Sequence, residues 1–67
     1  MKKLIDKITS QGVSITFDYE EIGVRVLLIN NRLRPVGGIS CIISKEAWDE
    51  DTFVECEIEY IFKKLME

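Results

Sequence analysis

Histidine is absent from this chain of 67 residues. With it go the hydrolytic pairs that need an imidazole base, Ser-His and Cys-His alike. Cysteine occurs twice, at Cys41 and Cys56, so a tetrahedral zinc site would have to be completed by carboxylates alone. No metal or cofactor is expected. The four glycines form no phosphate cradle, because "VGGI" lacks both the spacing and the lysine of a P-loop. No apolar run approaches the ~18 residues of a membrane span. "MKK" has the look of a signal-peptide start, but Asp6 and Lys7 interrupt the apolar run that must follow. A cytoplasmic protein with two reduced thiols is the expectation.

What remains is enough to fold. Hydrophobic residues make up 46% of the chain, with Trp48, three phenylalanines and two tyrosines, whereas disordered chains are poor in aromatic and β-branched residues. A chain this short removes only about 60% of its unfolded surface from water. One marginal domain spanning residues 1–67 is therefore expected, and self-association is a common remedy for a thin core.

The hydrophobic period changes twice along the chain. Leu4, Ile5 and Ile8 recur at helical spacing in "MKKLIDKITSQG", and Gly12 offers a left-handed stop with Val13 folding back behind it. From Val13 the period is two: Val13, Ile15, Phe17 and Tyr19 alternate with Ser14, Thr16, Asp18 and Glu20, as in a half-buried strand. "EEIG" makes a turn, and Val24–Ile29 a second strand. Asn30-Asn31 suits a two-residue type I′ turn. A third strand is then predicted to pair from Arg32, to bend near Gly37-Gly38, where the pair marks a break, a bulge or a close backbone approach, and to continue through Ile39 to Ile43. Ser44 can cap a short turn carrying Ala47 and Trp48. Val54, Ile58, Ile61, Phe62 and Leu65 form the stripe of a final helix, with Thr52 and Glu55 spaced as a capping box. The order is α-β-β-β-α: an α+β two-layer sandwich, its three-stranded antiparallel sheet covered by both helices on one face.

Charge is unevenly placed. Residues 45–67 hold three lysines against eight acids, although the whole chain carries only −3. The double-stranded RNA-binding domain shares this element order, but it needs a basic start to its last helix to hold phosphates. Direct nucleic-acid binding is therefore not expected. Paired carboxylates are plentiful, yet catalysis by such a pair needs a cleft that separates their environments, and this architecture has little room for one. A non-enzymatic role is the expectation. The stretch "DEDTFVECEIEY" holds six of the twelve acids. These acids complement the helix dipole and solvate a face, or they form an anionic surface, Asp49, Glu50, Asp51, Glu55 and Glu59, that meets a basic groove on a partner protein.

The sheet raises a second possibility. If Val24, Val26 and Leu28 face the helices, Leu27 and Ile29 face away, with Val36 nearby and Arg25, Arg32 and Arg34 around them. Aliphatics rimmed by arginines resemble an interface core, which makes these six residues the expected seam of a homodimer. Cys41 shares the parity of Ile39 and Ile43 and reads as a core residue, while Cys56 lies between Glu55 and Glu57.

The lysine-bearing "MKKLIDKITSQG", the alternating strands and the acidic "ISKEAWDEDTFVECEIEYIFKKL" together resemble small acidic bacteriophage-encoded proteins of the anti-CRISPR and host-takeover type. That resemblance implies a binding protein that inhibits a host defence protein in the host cytoplasm. In such proteins acidic side chains often occupy a nucleic-acid site on the target, which implies contact roles for Asp49, Glu50, Asp51, Glu55 and Glu59. Two other readings stay open: a homodimeric structural module whose acids keep it soluble, and a small-ligand sequestering protein with its site at the dimer seam.

Overall fold

A computed structural model describes residues 1–32 and 35–67. The chain runs α1 (Lys2–Ser10), β1 (Val13–Tyr19), β2 (Gly23–Asn30), β3 (Gly37–Ser44), α2 (Lys45–Trp48) and α3 (Asp51–Met66). The strands form one antiparallel sheet in the order β1-β2-β3. The helices lie on one face of it, so the molecule is a two-layer α+β domain only 16 Å through its shortest axis.

Side-chain parity builds the core. Val13, Ile15 and Phe17 on β1, Val24, Val26 and Leu28 on β2, and Ile39, Cys41 and Ile43 on β3 share the covered face. Against it α3 lays Val54, Ile58, Ile61 and Phe62, and α1 adds Ile8. Helix α1 packs on β1, whereas α3 packs on β2 and β3. Helix α2 packs on β2, β3 and α3 and reaches the far end of β1 through Trp48, which meets the rings of Phe17 and Tyr19 edge-on at 5.7 and 6.0 Å between centroids.

Helix α1 starts without a side-chain cap and stops at Gly12, whose φ of 83° is unfavourable for any residue with a Cβ. The Arg32 side chain lies over Gly12, in the space a Cβ would need. Glu20 to Gly23 is a tight turn, closed by the Glu20 N–H donating to the Gly23 carbonyl at 2.8 Å. Ser44 caps α2 as expected, its hydroxyl accepting from the Ala47 N–H at 3.2 Å.

Four local expectations are corrected. Asn30-Asn31 is not a type I′ turn, because no non-glycine residue among those described has positive φ. Asn30 instead ends β2 with a buried side chain, its Oδ1 accepting from the Arg32 N–H at 3.0 Å and its Nδ2 donating to the Met66 sulfur at 3.5 Å. That local bond from Asn to the residue two on replaces the turn. The third strand accordingly begins at Gly37, not Arg32, after a connection that includes Pro35; Leu33 and Arg34 lie outside the described residues. Nor is there a bulge at the glycines: Gly37 and Gly38 stand in unbroken register opposite Asn30 and Ile29. Finally, α3 starts at Asp51 with Glu50 as its N-cap and no side-chain capping bond. The Thr52–Glu55 capping box does not form, because the helix begins before Thr52 and places it inside the first turn instead of at the N-cap.

Candidate functional site

Glu55 and Glu59 are on the flank of α3 that faces α1. The Met1 ammonium pairs with Glu55, and Glu59 lies between Lys7 at 3.8 Å and Lys63 at 3.7 Å. Two of the five acids predicted to meet a partner therefore fasten α1 to α3. Both keep partial exposure, so these bonds compete with water and contribute modestly.

Asp49, Glu50 and Asp51 are placed differently. They sit at the junction of α2 and α3, all exposed, and among the described residues no ion pair engages them. Glu46, on the preceding turn, is also exposed. Asp51, in the first turn of α3, meets the positive end of the helix dipole. The five-acid surface thus divides into an internal pair and an outward group of three.

The uncovered sheet face carries Ser14, Thr16 and Asp18 beside Arg25, Leu27 and Ile29, and then Gly38, Ser40 and Ile42. Leu27 and Ile29 do face away from the helices, but both are half-buried because the central strand is flanked by neighbours. Ile42 and Val36 are more open. Arg25 bonds its own Glu20, Nε to Oε1 at 3.0 Å, and that pairing raises the guanidinium's pKa. Arg32 is exposed, its side chain lying over Gly12. Arg34, the remaining rim residue, falls outside the described residues.

No protein family matches the chain, and no curated protein or solved structure is significantly similar to it. The surfaces are therefore read on their own chemistry. Among the described residues no cluster of His, Cys, Asp and Glu has the geometry to hold a metal. Nor, among those residues, is any helix long and apolar enough to cross a membrane. Cys41 is half-buried against the core, and burial, followed by the nearby Glu57 carboxylate, pushes its thiol pKa up. Cys56 is exposed. It joins Glu59, Tyr60 and Lys63 around an open hollow of about 300 Å³ on α3.

The residue pattern missed one surface. Phe53 and Tyr60 are 43% and 53% exposed, and the Lys64 ammonium stands 5.2 Å from the Tyr60 ring centroid. Phe53, Glu57, Tyr60 and Lys64 recur at i, i+4, i+7 and i+11, so they share one flank of α3. Glu55 and Glu59 turn the opposite flank toward α1, and α1 packs on β1 whereas α3 packs on β2 and β3; the Phe53–Lys64 flank is therefore the one turned toward the free edge of β3. The same helical spacing that marks the buried stripe, applied to the other side of the helix, finds it.

Proposed function

We propose that this chain is a non-enzymatic binding protein that inhibits a host protein, docking the exposed acids at the start of α3 against a basic surface of its target. The observation that carries the reading is the placement of Asp49, Glu50 and Asp51: contiguous, exposed and free of ion pairs among the described residues. Acids that only held the fold together would be expected to pair internally, as Glu55 and Glu59 do. A compact row of carboxylates presents to a cationic groove the charge that a nucleic-acid backbone would present. The sequence supports a non-enzymatic role because it lacks histidine and a phosphate loop. A host cytoplasm is the compartment this reading implies.

The test is affinity capture from a bacterial host with the parent chain and with Asp49→Asn/Glu50→Gln/Asp51→Asn. A basic partner retained by the parent, released by added salt or by competing DNA, and not retained by the triple variant supports the reading. Equal capture of that partner by both chains overturns it.

A further inference from the structure

We infer that the free edge of β3 and the adjoining flank of α3 form a two-fold interface with a second copy of this chain, joining two sheets into one of six strands. This does not depend on the anionic-surface reading. It also differs from a seam through the outer sheet face at Leu27 and Ile29.

The first observation is the hydrogen-bond phase of the sheet. The Glu20 N–H donates to the Gly23 carbonyl, and the Asn31 N–H to the Gly12 carbonyl at 3.3 Å. Both pairs extend the β1–β2 register. In an antiparallel ladder bonded and non-bonded pairs alternate, so Gly23, Arg25, Leu27 and Ile29 bond toward β1. Val24, Val26, Leu28 and Asn30 then bond toward β3, through Ile43, Cys41, Ile39 and Gly37. The N–H and C=O groups of Gly38, Ser40 and Ile42 are left pointing away from the sheet. Natural edges are usually blunted by charge, proline or a bulge. β3 has none of these from Gly37 to Ser44 and keeps unbroken register, whereas the β1 edge carries Asp18. An antiparallel two-fold about the middle of β3 pairs these outward groups with their own copies and keeps Ile39, Cys41 and Ile43 on the helix-covered face of both sheets.

The second observation is the fit of the helices. α3 packs on β2 and β3 and not on β1, so its axis lies near the β2–β3 ladder. With strands ~4.8 Å apart, the axis is then ~4.8 Å from the new seam. Two copies put the α3 axes ~10 Å apart, within the helix–helix packing distance of about 8–10 Å. The facing flanks carry Phe53, Glu57, Tyr60 and Lys64, and both aromatic rings are open to solvent in a single copy. The two-fold makes the helices antiparallel, which sets Glu57 on the flank of one toward Lys64 on the flank of the other. A parallel pairing would stack like charges; the antiparallel one is charge-complementary.

The experiment is sedimentation velocity on the intact chain across the micromolar range, with hydrogen exchange read at single amides. A dimer is expected, with the Ser40 and Ile42 amides protected in proportion to dimer content. Ser40→Pro removes an outward donor and no bond to β2, and is expected to give a folded monomer. Because proline can disturb the strand, Glu57→Lys and Lys64→Glu provide an independent reading. Each alone is expected to weaken the dimer by roughly tenfold, and the double reversal to restore it. A parent that stays monomeric at high micromolar concentration overturns the inference. So does a dimer in which Ser40 and Ile42 exchange freely, which would place the contact on the Leu27–Ile29 face or elsewhere.

Discussion

Truncating Ile58 to alanine is the most direct test of how α3 is seated. The side chain is fully buried at the middle of the helix, against the covered face of the sheet. Removing its three outer carbons forfeits about 0.8 kcal/mol for each. The cavity left behind raises the usual cost of such a change to about 2–5 kcal/mol. A domain of this length holds roughly 3–10 kcal/mol in total, so the loss is a large share of it. At about 4–8 °C per kcal/mol for a small domain, a loss of 3 kcal/mol lowers the melting midpoint by roughly 12–24 °C. The control is the same truncation at Ile22, which is 67% exposed in the first turn and should shift stability by no more than about 0.5 kcal/mol. Circular dichroism melts of the two variants decide the matter. Equal shifts for Ile58→Ala and Ile22→Ala would mean that α3 is rotated away from the register described above. Ile58→Asp, which buries an unpaired charge, should not fold at all, and a parent-like melt for it would carry the same refutation.

Gly23→Ala should lower stability by about 1–3 kcal/mol, the usual cost of overpacking, because the new Cβ runs into the Ile43 carbonyl oxygen. Gly38→Ala, which meets only ordinary contacts, is the comparison, and matching melts would refute the close approach of β2 and β3. The Cys41 thiol has a raised pKa in the folded state, so its contribution to stability is complete below the unfolded thiol value of about 8.5 and is lost as the pH rises through the folded one. Cys41→Ala should therefore flatten the alkaline fall in melting temperature relative to the parent; an unchanged alkaline slope would contradict the burial of Cys41.

The residues whose environment is set by their own periodicity were legible in advance. Alternation from Val13 to Tyr19 and the Val54–Leu65 stripe fixed which side chains face inward, and the element order followed. What was not legible depends on partners far along the chain or on where a helix begins. Asn30 has the chemistry of a turn residue, yet its side chain is taken up by the Arg32 N–H and by Met66 at the opposite end of the sequence. Thr52 and Glu55 have the spacing of a capping box, but α3 starts one residue before Thr52, with Glu50 as its N-cap. The first rule met a tertiary competitor, and the second depended on a helix boundary that spacing alone does not fix. The acidic surface divided for the first of these reasons: spacing puts Glu55 and Glu59 on one face of α3, and only the docking of α1 shows that this face is turned inward.

The meander also bears on how the chain reaches its fold. Every strand pairs with its neighbour in sequence, so each hairpin can zip from its own connection and needs no long loop to close. Such topologies have low contact order and fold quickly for their class. The exception is the docking of α1 on α3, which joins the two ends of the chain through Ile8 and partly exposed charge pairs. That closure is the most entropically demanding step and the most weakly held. It is therefore the natural last event in folding and the first in unfolding, with the amides of α1 opening well before those of the central strand.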